Sequence, residues 1–325
     1  MKHVQFFSEA TPDPSFLGGK GSNLVKLVKL GANVPPGFII ASSCYLAFLS
    51  ESRNKDKIEE LLSKDLRPSE VITFSEHMKK LILESEFPSA IENEVSSAFD
   101  RIRRELGTGA SFAVRSSATI EDMDTFSFAG QSQTYLNNNS LEEILSSVKN
   151  CWASLFSSQA LAYFIRMRKA GKTFQLSDLQ MAVVVQKMVD AEVSGVLFTA
   201  NVVNNNKEQM MINSTWGLGE TIANNSVTPD MIVIDKGNFR ILRTVVGEKK
   251  KKSIRNPRNP GTIMMDTNPT LRSKLSLNES QLLELFNLGL WIENAFEVPQ
   301  DIEWAIRSGK LYILQSRPIT TLEGR

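Results

Sequence analysis

At 325 residues, with 42% hydrophobic and 22% charged side chains, the chain can bury a large core and is expected to form one large or two medium domains. Its 37 lysines and arginines nearly cancel its 36 aspartates and glutamates, so no whole-chain field draws it to nucleic acid or an acidic membrane. No apolar run approaches the roughly 18 residues of a membrane span. The start of the chain lacks a signal-peptide pattern, and Cys44 and Cys151 are too isolated for a disulfide framework or zinc site, so a cytoplasmic location is expected.

The periodicity predicts a helix over 20–30, entered by a glycine-rich turn and ended at Gly31, with Pro35-Pro36-Gly37 turning into a strand at 38–40. Ser42 and Ser43 are expected to cap the next helix. Residues 51–68 read as a charged surface excursion. Pro88 opens a strongly amphipathic helix with Ile91, Val95, Phe99, Ile102 and Leu106 on one face and Gly107 behind it. A strand at 112–114, a single helix over 141–168 and a central strand at 181–185 follow. Beyond 193 strands and turns dominate, interrupted by a helix over 279–296 and closed by a hairpin of 301–306 with 311–317. Helices and strands interleave without a regular βαβ beat, which indicates an α+β fold. The expected boundary lies near 188–194, with a ligand cleft between a helix-rich and a strand-rich half.

Gly18-Gly19-Lys20-Gly21 brings backbone N–H groups and an ammonium to a helix entrance, a setting that suits an anion. It is no Walker A loop, since Pro14 and Gly21 occupy the diagnostic positions; a plain helix entry is the alternative. Arg115-Ser116-Ser117 ends a hydrophobic strand with a guanidinium and two hydroxyls, fit to clamp phosphate oxygens or to make a surface ion pair. Residues 127–134 are small and donor-rich, as a phosphate-covering lid or a hairpin loop would be. Trp216-Gly217-Leu218-Gly219-Glu220 has Ile222 where a dinucleotide fingerprint needs glycine. The lysines at 249–252 are expected on a solvated hairpin. His3 and His77 show no metal-binding or acid–base pattern. In the last hairpin, sheet amphipathicity argues for a three-residue loop, which sets Glu303 opposite Gln315 and Asp301 opposite Arg317. Such oxygen ligands suit Mg²⁺ accompanied by phosphate; a structural ion pair is the alternative.

Several segments in order resemble the N-terminal nucleotide-binding domain shared by phosphoenolpyruvate synthase, pyruvate phosphate dikinase and rifamycin phosphotransferase. They are Gly18-Gly19-Lys20-Gly21, Val34-Pro35-Pro36-Gly37-Phe38, Ala113-Val114-Arg115-Ser116-Ser117, Ser127-Phe128-Ala129-Gly130-Gln131, Val185-Gln186-Lys187-Met188, Ser194-Gly195-Val196-Leu197-Phe198-Thr199, Gly217-Leu218-Gly219-Glu220, Val227-Thr228-Pro229-Asp230 and Leu314-Gln315-Ser316-Arg317-Pro318. The resemblance implies an ATP-grasp fold of two subdomains, 1–190 and 191–325, with ATP between them. It implies that Lys20, Arg115 and Arg317 hold and activate phosphates and that Gly130 and Thr134 cover them. Gln186 would lie near adenine or ribose, and Glu303 and Gln315 would bind Mg²⁺. The implied reaction passes phosphate to a histidine on a carrier domain outside the chain, and from there to pyruvate in a synthase or to antibiotic in a rifamycin-type enzyme. A nucleotide sensor without turnover is the non-enzymatic alternative. Asn224-Asn225 replaces the family's usual Ser-Gly pair, and neither His3 nor His77 has the carrier's setting. An excised domain or one subunit of a split enzyme is therefore expected.

Overall fold

The computed structural model describes residues 3–62, 66–119, 133–171 and 179–322. Helices alternate with antiparallel sheets, an α+β architecture as expected. The chain divides into two compact units, residues 1–25 with 36–188, and residues 26–35 with 189–325.

Five strands form the antiparallel sheet of the first unit: β1 (Val4–Phe6), β2 (Gly37–Ile40), β3 (Phe112–Ala118), β4 (Thr134–Asn138) and β5 (Met181–Lys187). Their order, β1-β2-β5-β3-β4, puts β5 at the centre, where its apolar run is buried on both faces. The helices are α1 (Pro14–Lys29), α2 (Ser42–Glu51), α3 (Lys55–Leu62), α4 (Val71–Glu84), α5 (Ser89–Leu106), α6 (Leu141–Ser154) and α7 (Ser158–Lys169). The main hydrophobic core joins residues of α2 to α7 with the sheet face carrying Phe38, Ile40, Phe112, Val114, Val183 and Val185. At its centre Trp152 packs against Phe48 and Tyr45, at 4.9 and 5.7 Å, and donates its indole N–H to the Met181 carbonyl.

The helix expected after Pro88 is α5, with Ile91, Val95, Phe99 and Ile102 buried and Gly107 (φ 84°) ending it. Three local expectations need correction. Residues 51–68 are not merely a surface excursion, because α3 buries Ile58 and Leu61 in the core. No side chain caps α2: Ala41 holds the cap position, and the Ser42 hydroxyl donates to the Ser15 carbonyl. The helix over 141–168 is two helices, since the Ser157 hydroxyl accepts the Ala160 N–H and so starts α7 afresh. Both cysteines are buried free thiols, and burial, aided by Glu94, pushes Cys44 up to about 12.

The second unit contains β6 (Val193–Phe198), β7 (Gln209–Trp216), β8 (Asp230–Asp235), β9 (Ile241–Val245), β10 (Lys251–Arg255), β11 (Thr262–Asp266), β12 (Gln300–Arg307) and β13 (Lys310–Pro318), with helices α8 (Glu220–Ala223), α9 (Pro269–Arg272) and α10 (Glu279–Phe296). Six strands pair antiparallel in the order β13-β12-β6-β7-β8-β9, while β10 and β11 make a separate ribbon. A capping box of Asn278 and Gln281 starts α10. Gly289 of α10 faces Leu197 and Met210, where a Cβ would come within 2.9 and 2.8 Å of the ends of their side chains, so a larger residue there requires those side chains to shift. Residues 26–35 group here because Asn33 accepts the Ile313 N–H and its amide donates to the Leu311 carbonyl. Just before it, Gly31 and Ala32 donate to Val28 and Leu27, a left-handed helix stop at Gly31 (φ 86°).

The lysine run departs from its expectation. Lys249 is fully buried, with its ammonium on the equally buried Asp230 carboxylate and on the Gly247 carbonyl. Asp230 also accepts from the Gly247 and Ser276 N–H groups and from the Ser276 hydroxyl. One residue of an apparently solvated stretch is thus a core ion pair.

Candidate functional site

In the first unit the sheet face away from the main core carries the expected phosphate-handling residues. Arg115 lies in mid-strand on β3, opposite Thr134 of β4 and Val184 of β5. It is 9% exposed, so it neither ends the strand nor projects from the surface. Gln186 lies two residues beyond Val184 on β5 and shares that face, as does Ser117 of β3. Thr134 is exposed at the start of β4. Gly130, with the rest of 120–132, lies outside the described residues.

The two hydroxyls after Arg115 have structural partners. Ser117 donates to the Leu17 carbonyl and accepts the Gly21 N–H. The glycine-rich turn is thereby pinned on β3, and Gly18 (φ 68°, ψ 168°) sits so close that a Cβ would collide with the Ser117 carbonyl and hydroxyl. This interruption divides α1 into a short leading turn from Pro14 and a longer helix that starts after Gly18, so the glycine-rich turn does enter the helix expected over 20–30. Lys20 is half-buried, two residues beyond the break. Ser116 in turn accepts the Gln133 N–H, fixing the entry into β4. Sequence reasoning saw these serines as direct phosphate donors; their contacts make them positioners of the turn and of β4.

In the second unit β12 and β13 bring the other expected residues together. Glu303 faces Gln315, and Asp301 faces Arg317. That register is reached by another route than the three-residue loop. The turn has only two residues, Ser308 (φ 50°) and Gly309 (φ 72°), and Arg307 pairs with Lys310. A bulge then adds Leu314 between the partners of Trp304 and Glu303 and shifts the pairing by one. A tight primed turn suits the strand twist, and the bulge restores the burial pattern that amphipathicity demands.

Arg317 donates from Nε and Nη2 to Asp301 Oδ2, both at 2.8 Å. Burial pushes the Asp301 carboxyl above its usual value; Arg317 pulls it down, and Glu303 raises it further. Among the described residues no cluster of three or more His, Cys, Asp or Glu side chains could hold a metal ion. The set beside Arg317 is one carboxylate and one amide, which fits a Mg²⁺ ion that brings phosphate oxygens with it and does not fit an all-protein cage.

Two cavities among the described residues lie elsewhere. One of about 590 Å³ in the first unit is lined by Val71, Ile72, Ala162 and Ile165; one of about 360 Å³ in the second is lined by Glu192, Leu218, Lys252 and Arg255. Neither of these two is lined by any of the expected site residues. The Gly217–Glu220 turn is likewise held internally, with Ser194 donating to the Gly217 carbonyl and Ser253 bound to Glu220.

Over residues 14–325 the sequence matches the family described as pyruvate phosphate dikinase, AMP/ATP-binding domain. The chain belongs to that family and is an ATP-binding domain of α+β architecture. It is 36% identical to phosphoenolpyruvate synthase of Pyrococcus furiosus, over 99% of this chain and 44% of that protein. It is 38% identical to a probable phosphoenolpyruvate synthase of Methanothermobacter thermautotrophicus, over 99% of this chain and 46% of that one. An uncharacterized phosphotransferase of Bacillus subtilis is 33% identical over 98% of this chain and 35% of its own length. The chain thus spans less than half the length of these relatives. Among the described residues no helix is long and apolar enough to cross a membrane.

Proposed function

We propose that this chain is the ATP-binding part of a phosphoenolpyruvate synthase-type dikinase of the cytoplasm, binding Mg-ATP between ATP-grasp subdomains at 1–190 and 191–325. Lys20, Arg115 and Arg317 neutralise and orient the phosphates, Gly130 and Thr134 cover them, and Gln186 holds the adenine or ribose end. Glu303 and Gln315 hold Mg²⁺, which supplies charge neutralisation on the phosphate oxygens. A histidine nitrogen on a carrier domain outside these residues attacks the β-phosphorus; the bond from that phosphorus to the oxygen bridging to the α-phosphate breaks, and AMP leaves. No protein acid or base is required, because positioning and charge do the chemistry.

The observation that carries the reading is the cross-strand set Glu303–Gln315 beside Asp301–Arg317, on a chain matched to an AMP/ATP-binding family over 14–325. The names of the relatives support pyruvate over an antibiotic as final acceptor. Calorimetry is expected to show ATP affinity that depends on Mg²⁺ and falls in Arg317→Ala, with little AMP formed until a carrier-histidine domain is added. Rapid AMP formation by the chain alone, or unchanged ATP affinity without Mg²⁺, would refute this.

A further inference from the structure

The open face of the six-stranded sheet carries a row of side chains that continues past the Glu303–Gln315 pair. Glu303 pairs with Val196 on β6, Val196 with Asn213 on β7, and Asn213 with Met231 on β8. Residues directly opposite one another share a face, so all five stand on the same side of the sheet. The opposite side is the one α10 packs on through Leu197 and Met210. The neighbouring row on the open face is Asp301, Phe198 and Met211. Val196, Phe198, Asn213 and Met231 are all half-buried.

Asn213 is the unexplained member of this row. A carboxamide is out of place between Val196 and Met231, and the Asn213 side chain makes no hydrogen bond among the described residues. Two residues along β7 on the same face, the Thr215 hydroxyl is fully buried and also lacks a partner. Ser194, opposite Thr215, is by contrast satisfied by the Gly217 carbonyl at 2.6 Å. Native proteins rarely leave buried polar groups such as the Thr215 hydroxyl without a ligand or water to complete them, and the half-buried Asn213 carboxamide stands beside it on the same face.

Distance decides what Asn213 can touch. Two strand spacings separate it from Glu303, about 10 Å across the sheet. Gln315 is the direct partner of Glu303, whereas Val196 stands between Glu303 and Asn213, so the compact pair for one Mg²⁺ is Glu303 with Gln315 and Asn213 faces what the ion brings with it. A group attached to metal-bound phosphates and lying along the row does reach it. A carboxamide both donates and accepts, which matches ribose hydroxyls or a base edge better than phosphate oxygens, and the flanking Val196, Phe198 and Met231 offer apolar contact.

We propose that Asn213 recognises the nucleoside part of the bound nucleotide, while Glu303 and Gln315 take its metal–phosphate end. The inference rests on the ATP-binding reading above. Calorimetry with Mg-ATP and with magnesium and inorganic tripolyphosphate tests it, the second probe having no nucleoside. Asn213→Ala is expected to weaken ATP binding about five- to tenfold, the loss of one neutral hydrogen bond, and to leave tripolyphosphate binding unchanged. Glu303→Gln is expected to weaken both. Asn213→Thr, a side chain that suits a strand but has no carboxamide, should repeat the alanine pattern and guards against a folding defect. Unchanged ATP affinity in both Asn213 variants overturns the inference alone, as does an equal loss for both probes. Absence of any Mg-ATP binding by the unsubstituted chain overturns the ATP-binding reading and this inference with it.

Discussion

Replacing Lys249 by methionine keeps most of the side-chain volume and removes one charge from a site where both partners are fully buried. The Asp230 carboxylate retains its hydrogen bonds from Gly247 and Ser276, at 2.7 to 2.9 Å, but loses its counter-charge. Breaking a buried pair from one side costs about 3–5 kcal/mol, because an uncompensated charge stays out of water. Lys250→Met is the control: Lys250 pairs with Glu248, but both side chains are about 70% exposed and solvent already screens them. Unfolding in urea, followed by tryptophan fluorescence, reports mainly on the second unit, since Trp216, Trp291 and Trp304 belong to it and only Trp152 to the first. A unit-specific probe matters, because two units need not unfold together. The expected result is a large loss for Lys249→Met and no measurable change for Lys250→Met. Equal midpoints for the two variants would refute the idea that Lys249 is a core residue.

Gly18→Ala and Gly31→Ala should behave differently although both glycines have positive φ. At Gly18 the backbone lies in a glycine-only region and the new methyl meets Ser117, so a loss of about 3 kcal/mol is expected; at Gly31 the methyl has open space and about 1 kcal/mol is expected. Thermal melts compare them, and equal losses would count against the close approach of turn and strand. Asp301 supplies a pH test. Its folded-state value is raised above 3.8, so the folded chain binds that proton more tightly than the unfolded one. The associated stability is full below the unfolded value and is lost as pH rises through the folded value. Measured in urea between about pH 4 and about pH 7, Asp301→Asn should therefore gain relative to the unsubstituted protein as pH rises. A constant difference between the two would show that burial does not perturb this carboxyl.

Much of the candidate site was legible as separate pieces. Gln315 and Arg317 share a face on any strand, and Glu303 faces Gln315 as amphipathicity demanded. What stayed illegible were roles that depend on a distant partner. Ser117 reads as a phosphate donor until Leu17 and Gly21 are seen to occupy its hydroxyl, 100 and 96 residues away in sequence. Asp230 lies in the Thr228-Pro229-Asp230 segment, which carried no chemical assignment from sequence; its ion pair with Lys249 bridges 19 residues. Asn213 carries no signal of its own in the sequence, because its row exists only once β6, β7 and β12 are aligned.

The amino-acid order by itself determined elements whose signals are local: the apolar stripe and terminal glycine of α5, the helix over 279–296, and the apolar run of β5. Each depends on residues within a few positions, where helix and strand geometry fix who meets whom. Tertiary structure alone decided that Lys249 is buried while Lys250 is exposed, that α3 belongs to the core, that 26–35 join the second unit, and that a bulge at Leu314 corrects a two-residue turn. In those cases the energy comes from contacts between segments far apart in the chain, and neighbouring residues carry no record of them.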